Sequence, residues 1–166
     1  MAITVALGMI AEQLRDAPDS PRVVAYPPLV FLAALAIGWF LNWLMPLRLP
    51  SSLPIAGGIL ALSGIALGLW GVRALHRAGT AVRPDRPVTA LVTNGPYQYT
   101  RNPLYIGLTT IYFSIALSTG VMWLLVTLIP VLAMVNWKIV RREEQFLEGK
   151  FGETYRVYKA RVRRWV

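Results

Sequence analysis

Cysteine is absent from this sequence of 166 residues, and histidine occurs once, at His76. The first absence excludes disulfides, thiolate metal sites and cysteine nucleophiles, and a single imidazole does not make a His-rich metal centre. Charge is also scarce: Asp, Glu, Lys and Arg make up 15% of the chain against 55% hydrophobic residues, too apolar a balance for a soluble protein of this length. The expected class is an all-α integral membrane protein forming a single domain over residues 1–166. Acids are the scarcer sign, eight against 17 Lys and Arg, which leaves a net charge of +9. That surplus lies in segments flanking the apolar runs and forms no stripe on a soluble face, so it points to anionic lipid headgroups and away from nucleic acid.

Charges vanish over long stretches, and these stretches set the organisation. None occurs from Val23 to Pro46, and about 20 apolar residues suffice to cross a bilayer, so residues 23–46 read as a first span. Pro27 and Pro28 suit its opening turn, and Trp39 and Trp43 suit the headgroup region at its far end. A second span covers residues 54–75, in which Gly57, Ala61, Gly64 and Gly68 recur at helical spacing and strip one face of side chains. That face serves packing within the chain or, as the alternative, a dimer, and the oligomeric state stays open. From Leu104 the chain is uncharged until Lys138, too long for one span, and Ser118-Thr119-Gly120 breaks it. Residues 104–119 and 121–137 therefore read as a hairpin of two short spans, with Trp123 and Trp137 at the ends of the second. About four transmembrane helices result.

The ends of the chain have a different character. Residues 1–22 mix apolar positions with Glu12, Arg15 and Asp16, and no charged segment precedes the apolar run, so a short interfacial helix is expected here and a cleavable signal peptide is not. Residues 138–166 are strongly charged, with Phe146, Leu147, Phe151, Tyr155 and Tyr158 approximating one apolar side of a helix interrupted at Gly149 and Gly152. Lys and Arg number four in residues 76–103 (Arg77, Arg83, Arg86, Arg101) and nine from Lys138 onward, against only Arg48 in the first connection and none in the hairpin turn. Positive charge stays inside, which puts residues 76–103 and 138–166 in the cytoplasm together with the N-terminus. The expected membrane is the plasma (inner) membrane.

The stretch from Leu91 to Gly107 is the long irregular segment between apolar regions. Asn94-Gly95-Pro96 and Asn102-Pro103 are two turn signals, and each proline removes a backbone donor and drives its predecessor out of helical geometry. Tyr97, Tyr99, Arg101 and Tyr105 would line that irregular backbone with rings and one fixed cation. A small-molecule site at a membrane surface has this make-up, and so does an ordinary loop whose tyrosines form an interfacial belt. From spacing alone both readings stand.

Two blocks of residues bear on that choice. Thr93-Asn94-Gly95-Pro96-Tyr97, followed by Arg101-Asn102-Pro103-Leu104-Tyr105-Ile106-Gly107, resembles the T-x-G-x-Y and R-H-P-x-Y-x-G cofactor motif of the isoprenylcysteine carboxyl methyltransferase and phospholipid methyltransferase superfamily. Glu143-Glu144, Leu147, Phe151-Gly152, Tyr155, Tyr158 and Val162 with Arg163 resemble its closing pattern, E-E-x-x-L-x-x-x-F-G-x-x-Y-x-x-Y-x-x-x-V-x-R. The resemblance implies an integral-membrane methyltransferase using S-adenosylmethionine. Carried over residue by residue, it implies that Glu143 and Glu144 hold the cofactor's ammonium and ribose hydroxyls, and that Leu91 and Val92 pack on the adenine. Tyr97 and Tyr105 would wall the pocket, with Gly95, Arg101, Asn102 and Pro103 completing it. No metal is implied, and no catalytic base is assigned.

Two departures touch the chemistry. Asn102 stands where the family has His: Asn substitutes if that His acts through its backbone or as a hydrogen-bonding group, and a base is lost if it acts as one, the first fitting better with an in-line displacement on an activated carbon that positioning and desolvation accelerate. Ile139 stands where members that methylate a prenylated cysteine carboxylate carry an arginine. The expected acceptor is therefore lipophilic but open in class: a lipid amine, a small lipophilic thiol or amine, or another lipid-like acid. It would approach between helices, and the small-residue face of the second span with the shortness of the third and fourth spans would permit such an opening. A different class of function, a non-catalytic membrane protein binding anionic lipid through its basic tail, is the alternative.

Overall fold

Proline opens three of the apolar helices. Its fixed φ suits the first turn, where its missing N–H has no partner to lose. Helices α1 (Pro27–Leu44), α2 (Pro54–Arg77) and α3 (Pro103–Thr119) all begin this way. The structure, a computed structural model, describes residues 26–50, 52–82 and 87–165. The interfacial helix expected over residues 1–22 lies outside them. After α3, Gly120 adopts φ +67° and its N–H caps Ala116, a left-handed C-cap that glycine adopts without a Cβ clash. Helix α4 (Met122–Met134) then passes through a π-helical turn, Val135–Val140, into α5 (Arg141–Arg161) without interruption. Gly149 stays inside α5, and the break falls at Gly152, with φ +53° and ψ −124°. No strand occurs among the described residues, apart from one antiparallel bridge between Arg48 and Val121.

Three helices are long and apolar enough to cross a membrane: α1, α2 and the stretch Met122–Arg161, kinked at Gly152, whose apolar part ends where Lys138 begins the charged half. Helix α3 has 17 residues, about 25 Å at 1.5 Å per residue, and falls short of the usual span. It pairs most extensively with α2, while α1 packs on α4 and α3 pairs with α4. The two helices that are consecutive in sequence, α1 and α2, are thus seated on different partners. Large apolar side chains point outward, among them Trp43 (76% exposed), Ile55 (82%) and Leu62 (70%), a surface that water would penalise and lipid covers.

The α2–α3 seam is made by glycine. A Cβ on Gly64 would lie 2.9 Å from the Gly107 carbonyl oxygen, and one on Gly107 would lie 2.9 Å from the Gly64 carbonyl oxygen, so the backbones touch. Two of the four small residues on that face of α2, Gly57 and Gly64, are taken up by packing on α3, whereas a Cβ on Gly68 would meet nothing within 4 Å. The inner core joins Phe31, Tyr112, Ala116, Leu124, Val135 and Ile139. The buried Tyr112 and Thr127 hydroxyls satisfy each other at 2.7 Å.

One end of the bundle is closed by its two short connections. Leu49 N–H donates to Gly120 O (2.7 Å), Met122 N–H to Leu47 O (3.0 Å) and Arg48 Nη1 to Thr119 O (3.0 Å). The long connection before α3 and the whole of α5 consequently meet at the opposite end.

Candidate functional site

Turn chemistry shapes the loop before α3. Gly95 has φ +59° and opens a single 3₁₀ turn, Gly95–Gln98, in which Tyr97 N–H donates to Asn94 O (3.2 Å) and Thr100 N–H to Pro96 O (3.3 Å). The turn rests against α2, and a Cβ at Gly95 would stand 3.3 Å from the Trp70 indole nitrogen. Helix α5 and the residues after it fold back over this loop. Tyr158 Oη donates to Tyr97 O (2.7 Å), and Arg101 N–H donates to Arg163 O (3.0 Å). The Arg164 carbonyl accepts from Thr100 Oγ1 (3.1 Å) and Asn102 Nδ2 (2.9 Å). Asn102, standing where the family motif has His, is thus a buried strut between the loop and the chain's last described residues.

Beneath this cover lies a cavity with about 1150 Å³ of empty space, counting the part open to solvent. Nine of the ten site residues singled out from sequence line it: Leu91, Val92, Tyr97, Arg101, Asn102, Pro103, Tyr105, Glu143 and Glu144. Gly95 does not, since its contacts are with α2 and its contribution is the turn itself. Tyr26, Pro27 and Pro28 from the start of α1, Leu75 from the end of α2, and Leu104 and Leu108 from α3 add an apolar side that leads into the bundle.

The adjacent glutamates differ in their surroundings. Glu144 is buried and doubly clamped: Arg164 reaches it with Nη2 at 2.6 Å and Nε at 3.0 Å, and Arg101 Nη1 lies 2.9 Å away. Its charge is spent on holding two arginines. Glu143 accepts one hydrogen bond, from Tyr105 Oη at 2.6 Å, and makes no ion pair among the described residues. Burial raises the Glu143 pKa to about 7, with the Tyr105 bond pulling it down and the Glu144 charge adding to the rise. Among the described residues, Glu143 is therefore a carboxylate without a cation. Arg101 is the complementary case: among the described residues its side-chain bonds all run through Nη1, and its buried Nε–H has no partner.

Arg164 is the residue that the sequence did not single out. The closing pattern V-x-R places its arginine two positions after the valine, so counting from Val162 identifies Arg164, whereas Arg163 is exposed. Tyr155 and Tyr158 also line the cavity, and the same pattern contains both.

A family model for phospholipid methyltransferases matches residues 53–154, more than half of the chain, and takes in the whole first motif block and the second from Glu143 to Gly152. The chain belongs to the phospholipid methyltransferase family. As a member of a methyltransferase family, it is an integral membrane protein of enzymatic lineage, with the cavity at the family's motif residues. An uncharacterised protein of Haemophilus influenzae is 52% identical over 33 residues, 20% of this chain. The match covers about half (52%) of that curated relative. No solved structure matches.

Proposed function

We propose that this protein transfers a methyl group from S-adenosylmethionine to a lipophilic acceptor at the cytoplasmic face of the membrane. The observation that carries this reading is the pairing, in one apolar-walled cavity, of two groups without partners among the described residues: the Glu143 carboxylate, which has no cation, and the buried Arg101 Nε–H, which has no acceptor. An amino acid carries both missing partners, an ammonium and a carboxylate. An unsatisfied buried donor costs about 1–3 kcal/mol, which such a ligand would offset. Leu91, Val92 and the Tyr97 ring offer the apolar surface that an adenine needs. The cofactor supplies an activated methyl carbon, and this chain's residues supply its orientation and the exclusion of water.

The remaining geometry supports an acceptor from the bilayer. Tyr26, Pro27 and Pro28 at the start of α1, Leu75 at the end of α2, and Leu104 and Leu108 of α3 all line the cavity, so its apolar side is shared by the ends of α1 and α2, which are seated on different partners. We assign the acceptor's port to this gap. Ile139 is wholly buried in the core and offers nothing to an acceptor carboxylate, which favours an acceptor whose reacting atom is not a carboxylate. In this arrangement the chain crosses the membrane four times, with the short α3 as the third crossing and the cavity, N-terminus and α5 in the cytoplasm of a plasma (inner) membrane. Exposed Arg141, Arg142, Lys150, Arg156 and Lys159 on α5 would rest on anionic headgroups.

The decisive experiment incubates purified protein with membranes of its own host and cofactor labelled in the methyl group. Label should enter the organic extract, where mass spectrometry names the acceptor class. Label confined to water-soluble products would overturn the lateral approach, and no S-adenosylhomocysteine binding by calorimetry would leave the lipid-binding alternative.

A further inference from the structure

The tail after α5 holds Arg101 from three directions. The residue before Arg101 and the residue after it both donate to the Arg164 carbonyl, through Thr100 Oγ1 (3.1 Å) and Asn102 Nδ2 (2.9 Å). Arg101's own N–H donates to the preceding carbonyl, Arg163 O, at 3.0 Å. The side chain is then fixed through an intermediary: Arg164 grips Glu144 with two nitrogens, Nε and Nη2, and Glu144 Oε1 receives both Arg164 Nε (3.0 Å) and Arg101 Nη1 (2.9 Å). A two-point grip sets the plane of a carboxylate as well as its distance. Asn136 Oδ1, in the π-helical turn, steadies the other end of the fork, 3.4 Å from Arg164 Nη1. Arg164 lines none of the cavity itself, whereas Arg101 does.

We propose that Arg164 is a positioning residue: through Glu144 it orients the Arg101 guanidinium so that its unpaired Nε–H edge receives the α-carboxylate at the amino-acid end of the ligand. The inference rests on the proposed cofactor reading and deepens it by dividing the work. Arg101 meets the carboxylate, Glu143 meets the ammonium, and Glu144 acts as the hinge-pin between Arg101 and Arg164. Charge is consistent with this division, because two arginines and two glutamates cancel and the zwitterionic end of the ligand adds no net charge.

The test uses two probes that differ at the end in question. S-adenosylhomocysteine carries the amino-acid end, and 5′-methylthioadenosine lacks both its ammonium and its carboxylate. Calorimetric titration of full-length protein in nanodiscs should show that Arg164→Gln weakens S-adenosylhomocysteine about tenfold, the loss expected when one charge-assisted bond is mis-set. Methylthioadenosine should bind the variant within about twofold of wild type. Arg164→Lys, which keeps the charge without the fork, should show a smaller loss with the same selectivity, and it serves as the test if Arg164→Gln does not fold. Equal losses for both probes, or none for either, would overturn the positioning role while leaving the cofactor reading intact. Wild-type protein that fails to bind S-adenosylhomocysteine would instead remove the cofactor reading.

Discussion

The flank of α3 and its start are secured by opposite means. Along its length α3 meets α2 through glycines, and the contact exists because side chains are missing. At its start, Asn102 and Tyr105 are tied by hydrogen bonds to Arg164 and Glu143, more than 35 residues away in sequence. The first arrangement depends on shape alone and is indifferent to pH. The second depends on charge, and each of its members is held by another. A dry seam of this kind can anchor a helix in lipid, and a polar cap of this kind can leave one carboxylate and one guanidinium edge for a ligand.

Breaking the cap at its centre should produce the largest effect. Glu144→Gln leaves Arg101 and Arg164 facing each other without their shared anion, and removing one partner of a buried ion pair costs about 3 kcal/mol or more. A lowered thermal unfolding midpoint, with cofactor binding lost as well, is expected. Glu143→Gln should separate binding from folding: it removes one charge-assisted bond to the ligand, worth about 1.5–3 kcal/mol or roughly tenfold to a hundredfold in affinity, with the melting temperature little changed. Wild-type affinity in this variant would reduce Glu143 to a solvated carboxylate.

The seam is tested by adding atoms. Gly64→Val drives a side chain into the Gly107 carbonyl and should destabilise by about 1–3 kcal/mol, whereas Gly58→Val, with nothing within 4 Å of a built Cβ, should leave the unfolding midpoint within the small range of surface substitutions. Similar losses in both would mean that α2 and α3 are not in backbone contact.

The smallest effect expected is on pH dependence. Glu143 is raised to about 7 by burial, against the pull of Tyr105, so below that pH it is largely protonated and must release its proton to meet an ammonium. Affinity for S-adenosylhomocysteine should therefore fall as pH drops below about 7, by at most tenfold per pH unit, and level off above it. The neighbouring Glu144 and Tyr105 are both invoked in that shift, so the profile should move in Tyr105→Phe. An affinity flat from pH 5.5 to 7.5 would place the ligand's cation elsewhere.

Sequence made some of this legible and hid the rest for physical reasons. Charge-free runs and helix-opening prolines gave α1 to α4 to within a few residues, because both signals are local. The loop was legible for the same reason, since Asn94-Gly95-Pro96 and Asn102-Pro103 dictate backbone geometry wherever they stand. What distinguishes Glu143 from Glu144 is not local. They are neighbours of one type, and only the return of Arg164 across the loop assigns one to structure and leaves the other facing the cavity. Arg164 itself looked like one more cation in a basic tail, and only its spacing from Val162 set it apart. Gly95 also sits within the cofactor motif, and what the structure shows of it is the left-handed turn against Trp70.

The crossing of the tail over the loop also sets an order of events during biosynthesis. Thr100 to Asn102 are synthesised about 60 residues before Arg163 and Arg164, the groups whose carbonyls they bind. At translation rates of about 5–20 residues per second, the loop waits roughly 3–12 s for its partners. In that interval α3 and α4 emerge and can settle into lipid, so the pocket is finished after these helices. A nascent chain stalled before Tyr155 would present its apolar helices to the membrane with Thr100 to Asn102 still bonded to water.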